Sequence, residues 1–153
     1  MRCGIGYDLH RLSEGRKLVL GGVELDFQRG SVAHSDGDVL SHAVVDALLG
    51  AAGLGDIGRR FPDTDSRWKG ARSQIFLEEI RRLLKAGGLR ILNIDSVIVL
   101  DEPKLAPHIS AMSRNLAQWL GIDPAQVSVK AKTSEGTAPN VAAAHAVALL
   151  ARA

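Results

Sequence analysis

Residues 34–42 read His34-Ser35-Asp36-Gly37-Asp38-Val39-Leu40-Ser41-His42, and they lead into a segment whose apolar residues have helical spacing. Leu, Val and Ala recur three and four positions apart, which predicts a helix over 39–52. Asp38 is predicted to cap this helix, because a short carboxylate can accept hydrogen bonds from free backbone N–H groups. His42 then lies in the first turns of the helix.

A second short segment places a carboxylate and an imidazole side by side. Residues 5–12 are predicted to form a strand, and alternate strand residues share a face, so Asp8 and His10 point the same way. If His42 approaches them, three ligands are available for a divalent transition metal, and three protein ligands around zinc leave a fourth position open. Donor sets of histidine and carboxylate without thiolate favour zinc, with manganese or cobalt as substitutes.

Each of these residues also has an ordinary interpretation. Taken alone, the pair Asp8 and His10 is typical of an exposed polar strand edge. Taken alone, His42 is typical of a histidine that forms a hydrogen bond within a helix. Asp46 follows His42 by one helical turn and is either an outer carboxylate that supports the ligands or a plain helix residue. Without convergence of the three ligands, the chain is a small α/β domain with surface histidines.

Composition and length indicate one globular domain spanning residues 1–153. Of the 153 residues, 46% are hydrophobic and 24% charged, which is enough for a single core. A formal net charge of +2, with one tyrosine and two tryptophans, argues against a nucleic-acid partner. The single Cys3 cannot form an internal disulfide. Because no apolar run approaches the roughly 20 residues of a membrane span, and no signal segment is apparent, we expect a cytoplasmic protein without a membrane partner.

The remaining pattern predicts alternating strands and helices around one core. The predicted elements are a hairpin over 17–25 turning at Gly21-Gly22, a polar loop over 53–70, helices over 73–86 and about 106–120, and strands over 91–100 and 127–133. The final segment, 141–150, is rich in Ala and Val, and its periodicity does not separate a helix from a buried strand. These elements predict an α/β fold, an α+β sandwich with three main helices packed on one face of a sheet.

Two further segments are compatible with phosphate binding. His34-Ser35 precedes the predicted helix, where free backbone N–H groups favour an anion; a plain capping loop is the alternative. Residues 130–136 close a predicted strand with two lysines, two hydroxyls and Glu135, whose oxygens suit magnesium, although such a pattern is nonspecific. Residues 101–107 read as a proline-containing loop and indicate no ligand by themselves.

Seven blocks of the sequence, taken in order, resemble one family. The blocks are Gly4-Ile5-Gly6-Tyr7-Asp8-Leu9-His10, Gly21-Gly22-Val23, His34-Ser35-Asp36-Gly37-Asp38-Val39, Leu54-Gly55-Asp56-Ile57-Gly58, Phe61-Pro62-Asp63-Thr64-Asp65, Pro103-Lys104-Leu105 and Lys132-Thr133-Ser134-Glu135-Gly136. Their order and spacing, as far as Gly136, resemble the 2-C-methyl-D-erythritol 2,4-cyclodiphosphate synthase family of the non-mevalonate isoprenoid pathway.

The resemblance implies ring closure by phosphoryl transfer. In that reaction the 2-phosphate of 4-diphosphocytidyl-2-C-methyl-D-erythritol 2-phosphate attacks the β-phosphate, CMP leaves, and a cyclic diphosphate remains. The attacking group is already a phosphate, so the chemistry needs positioning and charge neutralisation rather than a strong base. This agrees with a sequence that offers metal ligands and hydroxyls but no Ser-His-Asp or Cys-His arrangement.

The resemblance also implies two cations. It implies zinc bound by Asp8, His10 and His42, with a substrate phosphate oxygen as the fourth ligand. A second cation, magnesium or manganese, would be held by Glu135 together with the substrate phosphates.

Transition-state stabilisation is the role that the resemblance implies for His34 and Thr133. The residues that correspond to the substrate pocket are Asp8, Leu9, His10, His34, Ser35, Asp56, Ile57, Gly58, Phe61, Pro62, Asp63, Thr64, Asp65, Leu100, Asp101, Glu102, Pro103, Lys104, Leu105, Ala106, Lys132, Thr133, Ser134 and Glu135. The family fold implies a mixed β-sheet and a homotrimer, with sheets facing the three-fold axis and active sites between neighbouring subunits.

One segment departs from the family pattern. Most members carry a Gly-Phe-Thr-Gly-Arg-type segment after the glutamate, whereas residues 137–141 here form a shorter loop without the Phe and Arg. Because these two residues are missing, the shorter loop puts in doubt the binding of isoprenoid diphosphates along the trimer axis. We assign no function to His145 in the last segment. Two other functions stay open: a metal-dependent phosphohydrolase whose open metal position activates water, and a non-catalytic trimer that binds a cytidine nucleotide.

Overall fold

The computed structural model describes all 153 residues and contains seven strands and four α-helices. The strands are β1 (Arg2–Glu14), β2 (Leu18–Leu20), β3 (Val23–Leu25), β4 (Arg29–Ser31), β5 (Leu89–Val99), β6 (Val127–Lys132) and β7 (Val141–Arg152). The helices are α1 (Val39–Ala52), α2 (Ile57–Arg60), α3 (Ser73–Ala86) and α4 (Ile109–Leu120). Measured by length and hydropathy, all four fall short of what a membrane-spanning helix requires.

Five of the strands form one mixed sheet in the order β4-β1-β7-β5-β6. Every neighbouring pair is antiparallel except β5 and β6, which run parallel. The crossover from β5 to β6 contains α4, as a parallel pair requires. Strands β2 and β3 form a separate hairpin that turns at Gly21-Gly22, as predicted.

The two faces of the sheet differ in what covers them. Helix α1 packs on β1 and β7, α4 packs on β6, and α3 lies against both α1 and α4. Alternate residues of β7 point into this layer and are buried: Ala142, Ala144, Ala146, Ala148 and Leu150. On the other face, the side chains of Ile5, Tyr7, Leu9 and Val147 are 74%, 51%, 47% and 44% exposed. The prediction of three main helices packed on the sheet is therefore confirmed.

Glycines in β1 let helix α1 approach the sheet at backbone distance. A Cβ atom placed on Gly6 would lie 1.9 Å from the carbonyl oxygen of Ala43, and one on Gly4 would lie 2.1 Å from that of Ala47. The alanines on this side of α1 add little bulk of their own. The first turns of the helix, including His42, are thereby held directly over the middle of β1.

We expect Gly6→Ala to lower the free energy of unfolding by at least about 3 kcal/mol, because the helix must move to admit a methyl group. Urea denaturation measures the change. Gly50→Ala in α1 is the matched control, since a Cβ there meets only the Ile5 carbonyl at an ordinary 3.8 Å. That change should be neutral or stabilising, because alanine favours a helix more than glycine does. Equal effects of the two substitutions would contradict the close-approach explanation.

The element bounds agree with the sequence prediction to different degrees. The predicted bounds of α1 and α3 coincide with the observed ones, whereas β1 extends beyond the predicted 5–12 at both ends. The helix predicted from 106 begins only at Ile109, because the residue before Pro107 is disfavoured in helical conformation. The loop 53–70 contains α2 and a 3₁₀ turn, both too short to produce a periodic signal. The ambiguous last segment is a strand.

Candidate functional site

Asp8, His10 and His42 come together where α1 crosses β1. Their ligand atoms all lie within 4.8 Å of one another. Asp8 Oδ2 is 2.9 Å from His42 Nδ1 and 3.1 Å from His10 Nε2. The period of two in β1 puts the first two residues on the covered face, and the Gly6 contact brings His42 to them. The convergence on which the sequence prediction depended is therefore present.

The donor set suits a divalent transition metal. Two imidazole nitrogens and one carboxylate oxygen face a common point, with no thiolate among them. His10 Nε2 is buried and, although close to Asp8, makes no hydrogen bond of acceptable geometry. A buried nitrogen without a hydrogen-bond partner is costly, and a metal ion would satisfy it. The residues present thus fit a metal site.

The charges in the cluster are strongly coupled. Burial opposes ionisation of Asp8, but the close approach of the His10 imidazole and the hydrogen bond and charge of His42 outweigh it and hold the pKa of the Asp8 carboxyl well below its usual range. Burial also disfavours the charged form of His42, yet the contact with Asp8 raises the pKa of this imidazole. Because metal ligation requires neutral imidazole, a cation and a proton would compete for His42.

The segment before α1 orients His42. Ser35 Oγ lies 3.2 Å from His42 Nε2, the nitrogen that faces away from Asp8. Asp36 accepts hydrogen bonds from the backbone N–H and the hydroxyl of Ser73, both at 2.6 Å, and so ties this segment to the start of α3. Hydrogen bonds to the far nitrogen of a ligating histidine fix its ring and tautomer. Ser35 is therefore placed to hold Nδ1 of His42 toward Asp8.

Asp38 caps α1 as predicted and does more than the sequence indicated. Its buried carboxylate accepts hydrogen bonds from Ser41 N–H at 3.0 Å and from the Ser41 hydroxyl at 2.8 Å. It also accepts from the backbone N–H groups of Gly21 and Gly22, at 2.9 and 2.8 Å. Burial raises the pKa of this carboxyl, against the opposing effect of the hydrogen bonds. The cap thus fastens the β2–β3 hairpin to the helix that carries His42.

Asp46 has a hydrogen bond that the sequence did not indicate. Its carboxylate accepts the backbone N–H of Ile57 at 2.8 Å and makes no hydrogen bond to His42. Burial raises the pKa of the Asp46 carboxyl. The residue is an anchor from α1 to the start of α2, and it fixes the loop in which Asp56 and Gly58 lie.

A cavity of about 320 Å³ opens beside the three ligands. The residues lining it are Asp8, His10, Ala33, His34, Ser35, His42, Ile57, Gly58, Phe61, Asp63, Trp68 and Phe76. Phe61 forms an aromatic wall with Phe76 and Trp68, at ring-centroid distances of 4.6 and 5.2 Å. The sequence prediction missed Ala33, Trp68 and Phe76. The sequence offered one signal for them, which was the aromatic Trp68 in the otherwise polar loop 53–70. A larger cavity of about 900 Å³ lies at the opposite end of the sheet, away from these titratable groups.

Several predicted pocket residues lie apart from this cavity. Leu9 points to the uncovered face of the sheet, because odd-numbered residues of β1 face away from α1. Asp65 pairs with the guanidinium of Arg67, and these hydrogen bonds lower the pKa of the Asp65 carboxyl. Leu100 and Leu105 are buried in the core.

Thr133 and Glu135 form a second group at the same end of the sheet. Thr133 Oγ1 lies 3.1 Å from Glu135 Oε1 in the turn after β6. Across the sheet, Leu9 of β1 pairs with Ala143 of β7, and Ala143 pairs with Val99 of β5. Val99 in turn pairs with Lys132 of β6. Three strand spacings of about 4.8 Å therefore separate β1 from β6, or roughly 14 Å. Within one chain, the strand that leads to Thr133 therefore lies three strands away from the one that carries Asp8 and His10.

Comparisons with known proteins cover nearly the whole chain. Residues 1–151 match the family model described as the YgbB family. A 2-C-methyl-D-erythritol 2,4-cyclodiphosphate synthase from Syntrophomonas wolfei is 53% identical over 98% of both chains. A protein of the same description from Desulfosudis oleivorans is 60% identical over 89% of this chain and 81% of its own. A solved structure of such a synthase in a CDP-bound form is 49% identical, has a TM-score of 0.93, and covers 98% of this chain and 100% of its own.

Proposed function

The chain belongs to the YgbB family of 2-C-methyl-D-erythritol 2,4-cyclodiphosphate synthases, and we propose that Asp8, His10 and His42 form its metal centre. It is a cyclising phosphorus–oxygen lyase of the non-mevalonate isoprenoid pathway. The reaction converts 4-diphosphocytidyl-2-C-methyl-D-erythritol 2-phosphate to the 2,4-cyclodiphosphate and CMP. The observation that carries the site assignment is the convergence of three ligand atoms, one of them an unsatisfied buried nitrogen, at the wall of a cavity.

The side chains around the cavity would position phosphates and exclude water. A divalent metal, zinc in our proposal, supplies positive charge that neutralises phosphate oxygens when it is bound. Ser35 holds the His42 ring, and His34 at the rim of the cavity donates to the phosphate on which charge develops. The wall of Phe61, Trp68 and Phe76 keeps water from one side of the reacting groups. Exclusion of water favours cyclisation over hydrolysis.

A second cation, magnesium or manganese, would be held by Glu135 and the substrate phosphates. The Glu135 carboxylate is exposed beside the Thr133 hydroxyl, so both can face one phosphate group. Thr133 would stabilise the charge that develops there during transfer. The loop from Leu100 to Ala106 and the segment from Lys132 to Ser134 would bind the cytidine diphosphate moiety, which agrees with the CDP-bound relative.

The active assembly in our proposal is a homotrimer in which each site lies between two subunits. Two observations support it. The roughly 14 Å between β1 and β6 is too long for the metal cluster and Thr133 of one chain to touch the same phosphate. The uncovered face around Ile5, Tyr7 and Leu9 is apolar and would pack toward the three-fold axis. The whole chain would act as one domain, and a cytoplasmic location stays a prediction.

The decisive experiment is incubation with the diphosphocytidyl substrate and magnesium, followed by phosphorus NMR and nucleotide chromatography. We expect CMP and the cyclic diphosphate in equal amounts. Linear phosphates alone would establish the phosphohydrolase instead. Nucleotide binding without release of CMP would establish the non-catalytic trimer.

We expect Thr133→Val to bind substrate almost normally but to turn over about 10²-fold more slowly, because its hydroxyl acts mainly in the transition state. Steady-state kinetics separate kcat from KM. The control is Thr137→Val, which removes from the same turn a hydroxyl that donates to the Ser134 carbonyl at 2.6 Å. A raised KM with unchanged kcat for Thr133→Val would instead assign Thr133 to ground-state binding.

A further inference from the structure

Asp101, two residues after the end of β5, is hydrogen-bonded to the turn that follows β6. Its carboxylate accepts the backbone N–H of Ser134 at 2.5 Å and the Ser134 hydroxyl at 2.8 Å. Directly before it, the Leu100 N–H donates to the Lys132 carbonyl at 2.9 Å and ends the ladder between the two strands. Hydrogen bonds to an ionised carboxylate are about twice as strong as neutral ones. The two loops are thus joined through one charged side chain.

Ser134 is the centre of the turn that presents Thr133 and Glu135. Its hydroxyl oxygen accepts the N–H of Ala138 at 2.9 Å, and its carbonyl accepts the N–H of Thr137 at 3.1 Å. Glu135 follows with a φ of +54°, a conformation that non-glycine residues rarely adopt. Such a residue keeps its conformation only when its surroundings hold it. The bonds from Asp101 to Ser134 tie the residue before Glu135 to the neighbouring loop.

We propose that Asp101 is a positioning residue that sets the Thr133 hydroxyl and the Glu135 carboxylate at the second-cation site. The proposal rests on the function proposed above and deepens it. Asp101 belongs to the loop that we assign to the cytidine diphosphate moiety, but both oxygens of its carboxylate are engaged by Ser134. Its side chain therefore acts through the turn, while other groups of the loop contact the nucleotide. Asp95 in β5 differs, since its carboxylate is 48% exposed and pairs with Lys130 within the two strands rather than in the turn.

The test compares Asp101→Ala and Asp101→Asn with Asp95→Ala, a matched loss of an aspartate carboxylate that lies outside the proposed pocket and pairs with Lys130. For Asp101→Ala we expect the magnesium concentration for half-maximal activity to rise about tenfold and kcat to fall about 30-fold, as for other losses of outer support to a metal ligand. Affinity for CDP without divalent cation, measured by calorimetry, should change less than about threefold, since the Asp101 side chain is engaged by Ser134 rather than by nucleotide. For Asp101→Asn we expect a smaller rise in the magnesium concentration for half-maximal activity, because an amide oxygen still accepts the Ser134 N–H.

Two outcomes would overturn the proposal. One is a magnesium concentration for half-maximal activity that is the same in both Asp101 variants as in Asp95→Ala, and the other is a loss confined to CDP affinity. If Asp101→Ala does not fold, the test uses Asp101→Asn and Ser134→Ala. Their magnesium concentrations for half-maximal activity should also rise. Failure of the wild-type protein to form the cyclic diphosphate would refute the proposed function, whereas normal wild-type turnover with unresponsive variants refutes only the role of Asp101.

Discussion

His42→Ala should lose bound zinc and catalytic turnover together. We expect less than a tenth of the wild-type zinc content and a fall in kcat/KM of about 10³-fold or more, because a metal supplies several kcal/mol of charge stabilisation in such sites. His42 is the buried member of the cluster, and its Nδ1 lies 2.9 Å from Asp8 Oδ2. Without it, Asp8 and His10 leave a two-residue site that is open on the side of α1.

Elemental analysis of the purified protein and steady-state kinetics measure the two effects. His108→Ala is the matched control, since His108 precedes α4 and makes no capping hydrogen bond. It should retain wild-type zinc and activity. Full zinc content in His42→Ala would show that the ligand assignment is wrong, whatever happens to turnover.

Mixed trimers of His42→Ala and Thr133→Val should recover activity that neither variant has alone. If each site takes its metal cluster from one subunit and Thr133 from the next, random mixing leaves about a quarter of the sites intact. The physical reason is the separation of roughly 14 Å between β1 and β6 within one chain. Unfolding and refolding the two variants together, at equal concentration, forms the mixed trimers, and the cyclase assay measures recovery.

The control is a mixture of His42→Ala with His10→Ala. Both substitutions damage the same cluster, so every site in that mixture lacks a ligand and no activity should return. If the mixture of His42→Ala and Thr133→Val is no more active than the two variants refolded separately, sites shared between subunits are ruled out.

Periodicity predicted those parts of the fold in which one face of an element is buried. Helix α1 has a capping carboxylate at its start, α3 stops at a glycine pair, and both have apolar residues at helical spacing, so their bounds were predictable. In β7 the side chains are mostly alanine and valine, which bury equally well in a helix or a strand. Its strand conformation depends on pairing with β1 and β5, and no local pattern records that pairing.

The candidate site likewise has residues that a local pattern predicts and residues that only the folded chain brings together. Asp8 and His10 were predictable as neighbours because a strand has a period of two. The aromatic wall was not, since Trp68 and Phe76 come from a 3₁₀ turn and a helix that meet only in the folded chain. Likewise, the distance between the metal cluster and Thr133 depends on strand order. Strand order is a tertiary property that sequence spacing does not contain.

The contact of β1 with α1 through Gly4 and Gly6 makes the metal cluster insensitive to changes elsewhere in the core. Two backbones in van der Waals contact have a separation that no leucine or isoleucine in another layer can shorten, and only their parting can lengthen it. Substitutions in the distant core should therefore reduce stability long before they alter the distance from His42 to Asp8. A change in the apolar interior of this chain should therefore preserve the metal geometry, provided that the strand keeps its two glycines.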